Sequence, residues 1–351
     1  MTPPSAAPVL NAQTIDPTEG ILPLVITKVE AGQLQPVAID GSGAIPTPEA
    51  GSLDNADDHA GLGERIATAV VVVVPVIGFA VAMVLLWGGI FNFTYLAIMV
   101  GMYLVTGFGI TIGFHRYFTH KSFDTSRPMA ALLGIAGSMA VQGTLLDWSA
   151  THRSHHQHSD HEDDPHSPHN HGGGIVGVLK GAWHAHVGWF LRGMQVRDPK
   201  YVVDLVKDPM VRRISALFPL WALLGLIIPA IIGGLVMMSW SGALLGFLWG
   251  GLVRVFLVHH VTWSVNSVCH LWGSRPFRSH DHSRNNPIFG VLALGEGWHN
   301  NHHAFPASAR HGLRWWQFDA SYIVIRTMAA LGLASNVRVP SRERMDAKRA
   351  A

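Results

Sequence analysis

Residues 93–120 read FTYLAIMVGMYLVTGFGITIGFHRYFTH. The first part, Phe93 to Phe114, carries no charged residue. About 20 such residues in a helix cross the ~30 Å of hydrocarbon in a bilayer, so this run suffices. It ends directly in His115 and His120. A membrane span that runs into a pair of imidazoles places ligand chemistry at the membrane surface.

Three further runs have the same character: Ala67–Trp87, Ile214–Met238 and Ala243–Trp263. The connectors, residues 88–92 and 239–242, are too short for anything but tight turns. The expected fold is therefore an all-α integral membrane protein, with four transmembrane helices in two hairpins. A hairpin returns the chain to its starting side. The N-terminal segment, residues 115–213 and residues after Ser264 then share one face. Of the 25 Lys and Arg, two precede the first run, eleven lie in 115–213, eleven follow Ser264, and Arg254 sits inside the fourth run. The short turns have none, so the positive-inside rule makes the shared face cytoplasmic. Residues 1–63, rich in Pro, Ala, Gly and Asp, read as a mobile tail, and 64–351 as one membrane domain with a helical cytosolic cap.

Pro128–Leu146 is uncharged but weakly apolar, and reads as one helix lying in the interface. A crossing there would separate His115 from His152. Leu313–Leu333 suits an amphipathic helix at the headgroups or packed in the cap. Arg254, His259 and His260 are costly in lipid and should face the bundle.

The chain is 351 residues long, 48% hydrophobic and only 14% charged, where soluble domains average about 25% charged. A net charge of +2 gives no nucleic-acid signature. The single cysteine, Cys269, excludes an intrachain disulfide and a cysteine-built metal site. The 22 histidines are the anomaly.

Eight of them fall in three boxes: His115 and His120; His152, His155 and His156; and His299, His302 and His303. On a helix, positions i, i+3 and i+4 lie at about 0°, 300° and 40°, so each H-x-x-H-H box presents its three rings within roughly a 100° arc. Eight imidazoles exceed what one octahedral ion accepts, so convergence implies two metals. Imidazole suits Fe, Zn, Cu and Ni alike. The stretch with His158, His161, His166, His169 and His171 reads as a solvated loop, and His280, His282 and His311 as surface groups or supports of the ligands.

The boxes and their surroundings resemble the membrane-bound fatty acid desaturases, most closely the acyl-CoA Δ9 class. The likeness runs from about Gly107 to Leu333. It rests on Gly109-Ile-Thr-Ile-Gly-Phe-His115, Asp164-Pro-His166, His186-Val-Gly-Trp189, Asn266-Ser-Val-Cys-His270 and Gly295-Glu-Gly-Trp-His-Asn-Asn-His-His303. It implies two irons and O2 as co-substrate, with His270 as a ninth ligand and Asn266 reaching a metal through water. It implies a bent acyl tunnel lined by Gln142, Trp148 and Trp263. Tyr103 and Met99, ~17–24 Å deeper along the second span, would cap its blind end. Asp147, Asp164 and Glu296 are candidates to hold the second nitrogen of ligand histidines.

The resemblance also implies membrane lipid around the protein, a fatty acyl substrate on CoA or a glycerolipid, and a separate donor: a ferredoxin, rubredoxin or cytochrome with its reductase. Residues 1–63 are too few for a fused cytochrome domain. The membrane would be the inner membrane of a bacterium or the endoplasmic reticulum of a eukaryote. Where vertebrate acyl-CoA enzymes carry an Arg-Asp pair before the second box, this chain has Ala150-Thr151, which counts against CoA. The competing expectations are a related di-iron hydroxylase or alkane-type monooxygenase, and a metal transporter. The last lacks polar waypoints at mid-bilayer.

Overall fold

The structure, a computed structural model, describes residues 61–89 and 92–350. All but the last three residues of the expected tail lie outside the described residues. Among the described residues, four helices are long and apolar enough to cross a membrane: Leu62–Trp87, Phe93–Thr119, Phe218–Met237 and Trp240–Leu271.

Their ends differ from the apolar runs for local reasons. The first begins at Leu62, where Glu64 is paired with Arg197. The third begins at Phe218 rather than Ile214, because Pro219 starts a new helix after the separate helix Pro209–Ala216. Proline has no N–H to continue the earlier one. The second and fourth run past their apolar stretches and carry polar residues onward. Both contain π-helical segments, Gly109–Thr119 and Phe247–Val253, in which bonds span five residues.

Residues 128–146 are not one helix. Helix Arg127–Ser138 is capped by Ser126 and ends before a break where Val141 and Gly143 have φ of 63° and 99°. Helix Leu145–His158 restarts with Thr144 accepting from the Asp147 backbone N–H at 3.1 Å. At ~1.5 Å per residue the first piece is ~18 Å long, too short to span. The expected helix over 313–333 is likewise shorter, Ala320–Ala330, because Asp319 caps it by accepting from the Tyr322 N–H. Asp319 also accepts from the His311 and Gly312 N–H groups, which holds the preceding residues in a loop.

Helix Arg127–Ser138 lies backbone to backbone against the π segment. A Cβ on Gly109 would stand 2.2 Å from the Gly137 nitrogen, and one on Gly137 2.5 Å from the Phe114 ring. Neither neighbour is the end of a flexible side chain. Gly109→Ala is therefore expected to force the helices apart and destabilise the protein by ~1–3 kcal/mol or more. Thermal unfolding in detergent measures this; an unchanged midpoint would refute the close approach.

Arg254 is fully buried, and its guanidinium donates to the carbonyls of Gly250, Met139 and Gly225. His259 Nε2 lies 3.0 Å from the Ala140 carbonyl. The polar groups of the fourth long helix thus tie it to the break after Ser138 and to the third long helix.

Candidate metal centre

Four elements bring nine histidines together in two clusters. The second long helix supplies His115 and His120, helix Leu145–His158 supplies three, the fourth long helix His270, and helix His299–Ala304 three. One cluster is His115, His120, His152, His156 and His302; the other is His155, His270, His299 and His303. Within each, the facing nitrogens all lie within 4.8 Å of one another.

Helix geometry explains the division. Positions i and i+4 differ by only about 40°, while i+3 lies about 60° to the other side. So His152 and His156 face one cluster and His155 the other. His299 and His303 face the second, and His302 the first. The wide turn does the same for box one. Five residues on an α-helix leave two side chains about 140° apart. Here the His120 N–H donates to the His115 carbonyl, an i to i+5 bond, and both rings turn the same way.

The nitrogen contacts test whether a cation fits. His120, His152, His156, His302 and His115 form a string of Nε2 contacts at 3.0, 3.0, 2.8 and 3.0 Å. Each nitrogen carries either one proton or one lone pair. A string of five can therefore make at most two hydrogen bonds, which leaves two contacts unsatisfied. An ion with metal–nitrogen bonds of ~2.1 Å holds neighbouring octahedral ligands ~3.0 Å apart, which is the spacing seen. In the second cluster, His270 and His299 are 3.0 Å apart through Nε2, and Nε2 of His155 and His303 is buried without a partner. The donor sets fit two metal ions. Burial, and then the neighbouring imidazoles, hold His120, His152, His156 and His302 well below the ordinary histidine pKa, so these rings are neutral and able to ligate.

Carboxylates hold four of the rings by Nδ1. Glu296 lies 2.6 Å from His115, Asp164 3.0 Å from His155, Asp160 2.8 Å from His270 and Asp281 2.5 Å from His303. A proton on Nδ1 leaves the Nε2 lone pair for the cluster. Burial opposes ionisation of Glu296, but His115, His311 and Arg116 outweigh it and keep the carboxylate charged. Asp147 sits apart from this ring of acids. It lies in the first turn of its helix, and burial raises its carboxyl above the ordinary range.

Two cavities meet at the metal site. Gln142, Trp148 and Trp263 line the first, Tyr103 and Trp148 the second, and His152, Thr262 and Asn266 border both. Trp148 stacks on His152 at 5.1 Å. Gln142 donates to Thr262 at 3.0 Å and accepts from the Trp148 indole. Tyr103 donates to the Leu292 carbonyl at 2.7 Å. Met99 lies elsewhere. It packs in an apolar cluster with Tyr95, Met102 and Trp249 and lines neither cavity.

Three residues, Asp160, Asp281 and His166, escaped the sequence reading as site residues, and His311 was read as a surface group or a support of the ligands. Asp160 and Asp281 carry no local signal, being 110 and 22 positions from the rings they hold. His166, placed with the solvated loop, is buried with its ring 4.3 Å from His155, and burial lowers it to about 3. His311 is buried between His302 and Glu296. For His166, the adjacent Asp164-Pro pair was the available hint.

The sequence model described as "Fatty acid desaturase" matches residues 92–334. Over 281 residues, 80% of this chain and 88% of the relative, the chain is 42% identical to hex-5-enoyl-[acyl-carrier protein] acetylenase of Moorena producens (strain JHB). It is 38% identical over 258 residues to sn-1 stearoyl-lipid 9-desaturase of Anabaena variabilis, covering 72% of this chain and 88% of that one. It is 35% identical over 251 residues to acyl-CoA C20 Delta5-desaturase of Anemone leveillei, covering 68% and 72%. A match over more than half the chain, with relatives this similar across most of their own lengths, leaves one conclusion: this membrane protein belongs to the fatty acid desaturase family and is a fatty acyl desaturase.

Proposed function

We propose that the protein is a di-iron, O2-dependent Δ9-type desaturase that places a cis double bond in a saturated acyl chain. The observation that carries this reading is the five-nitrogen string beside a second four-histidine cluster, a donor set for two ions side by side. When bound, two irons supply the reduction of O2 that makes attack on an unactivated methylene possible. The chain's own residues do the rest. Glu296, Asp164, Asp160 and Asp281 hold the ligand rings by Nδ1. Val258, Val261 and Val265 give the second cavity a dry wall, and Trp148 presents its face beside His152, where the reacting carbons would lie. Asn266, which lines both cavities, would hold a water near an ion in the four-histidine cluster.

The two hairpins with the boxes on the cytoplasmic side, and a separate donor of ferredoxin, rubredoxin or cytochrome type, complete the reading. The Lys and Arg distribution supports that orientation. Three similar proteins are named for acyl-carrier protein, glycerolipid and CoA substrates respectively. Acyl-CoA is the carrier of the resembled class, and Ala150 and Thr151, both buried, offer it no charged contact.

Expression in a desaturase-deficient host, with the new double bonds mapped in its lipids, tests the reaction. Elemental analysis of active protein tests the metal, with two irons per chain expected. Hydroxylated product or a single metal would overturn the respective part. Supplying the three acyl carriers one at a time to purified enzyme identifies the carrier.

Tyr103 closes the far end of the second cavity in this reading. Tyr103→Ala should shift preference toward longer chains. Each further methylene buried is worth ~0.8 kcal/mol, about fourfold in kcat/KM. An unchanged length profile in a folded, active variant would make Tyr103 a packing residue only.

A further inference from the structure

A separate cavity lies in the C-terminal part of the chain, between Phe277 and the arginines Arg314, Arg342 and Arg349. It shares no lining residue with either cavity beside the histidines. Arg278, Arg344 and Lys348 are exposed around it, on the same segments. Six exposed cations thus face two exposed acids, Glu343 and Asp346, and Asp346 is already held by Arg349 at 2.8 Å. The other carboxylates of this region, Asp281, Glu296 and Asp319, are buried. Elsewhere among the described residues four surface acids are held by cations, Glu64 by Arg197, Asp198 by Lys200, Asp204 by Arg153 and Lys121, and Asp208 by Arg127, and exposed Asp124, Glu162 and Asp163 form no ion pair with a Lys or Arg. Among the described residues, Arg314, Arg342 and Arg344 have no such partner.

The floor of this cavity is bonded to the four-histidine cluster. The Phe277 N–H donates to Asn300 Oδ1 at 2.9 Å, and Asn300 Nδ2 donates back to the Phe277 carbonyl at 3.0 Å. Asn300 follows His299 directly. Lys348 donates to the Ala304 carbonyl, one residue after His303, and Arg275 donates to the Asp281 carbonyl, whose carboxylate holds His303. Three short links therefore join an unneutralised basic face to His299 and His303.

We propose that this arginine face is the docking surface for an acidic one-electron carrier protein, whose electrons enter at the four-histidine cluster. The electron balance requires such a partner. Forming one double bond from –CH2–CH2– releases two electrons and two protons. Reducing O2 to two waters takes four of each. The carrier supplies the missing two electrons in two dockings, and solvent supplies two protons. Opposite charge steers such encounters and makes them salt-dependent. Membrane phosphate is the other chemistry arginines attract, but it has no use for bonded links to the ligands.

The test uses the full-length protein in nanodiscs. Plant-type ferredoxin, rubredoxin and cytochrome b5 are tried as reduced carriers, with dithionite-reduced methyl viologen as a small reductant. The double variant Arg342→Glu/Arg349→Glu should raise the KM for the accepted carrier at least about tenfold at low salt and flatten its salt dependence. It should leave viologen-driven desaturation unchanged. Direct binding of the oxidised carrier, measured by calorimetry, should weaken in parallel whatever the metal loading. Lys180→Glu and Lys207→Glu, equal reversals elsewhere, should change neither. An unchanged carrier KM in the double variant overturns the proposal. So does equal loss with viologen, which assigns the arginines to lipid or to the fold, and so does a wild type that accepts electrons from none of the three carriers. Because viologen drives the reaction without a carrier, failure of the docking surface and failure of the desaturase reading are separate results.

Discussion

Alanine at His302 is expected to abolish desaturation and to empty at least one metal position, while the protein stays inserted in the membrane. His302 Nε2 touches two of the other four nitrogens of its cluster, at 3.0 Å from His115 and 2.8 Å from His156. It joins box one to box two, so no neighbouring ring can replace it. Its truncation removes one of five clustered nitrogens and opens a buried gap in a neutral, desolvated cluster. The comparison is His158→Ala, whose ring is 26% exposed and faces Asp163 rather than a cluster. That variant should keep most activity. Product formation by His302→Ala, or an equal loss in His158→Ala, would show that the two clusters are not the reactive centre. Metal content and product are read on the same preparation.

The second large effect is expected at Asp281, which has no acyl contact. Its carboxylate accepts from His303 Nδ1 at 2.5 Å, from Ser283 Oγ at 2.5 Å and from Ser279 Oγ at 2.8 Å. Those bonds set the His303 ring with Nε2 toward the cluster. Replacing a group that orients a ligand histidine costs roughly 10–100-fold in metal affinity. Asp281→Ala should show that loss in a competition titration against a chelator. Asp147→Ala, at a carboxyl that makes no hydrogen bond to a histidine ring, should not. Equal affinities for the two variants would mean that His303 needs no acceptor.

These two residues mark how far the sequence could be read. His302 was legible because a repeated local pattern carries it: two boxes with one spacing, each on a helix. The long helices were legible for the same reason, since composition over ~20 residues decides them. The division of each box between two clusters was implicit in the 100° step of a helix, although the spacing alone suggested three rings at one place. Asp281 and Asp160 were not legible, because their partnership with His303 and His270 exists only after the chain has folded. Asp147 stood close to the second box in sequence, and proximity in sequence was a poor guide to contact. The break after Ser138 was hidden as well. Its left-handed residue is Val141, a β-branched side chain that propensity would not place there. The tertiary bonds from Arg254 to Met139 and from His259 to Ala140 hold it.

The alternation of ring directions along helices Leu145–His158 and His299–Ala304 has a thermodynamic consequence. His155 and His156 are adjacent residues facing different clusters, and so are His302 and His303. An ion that enters one cluster stiffens both helices at once, and thereby pre-arranges the rings that its neighbour needs. The ordering entropy met by the first ion is largely spared the second, which is a positive coupling between the sites. Loading should then be nearly all-or-none. Molecules holding a single ion, with no companion to complete the chemistry, would be scarce whenever the metal is limiting.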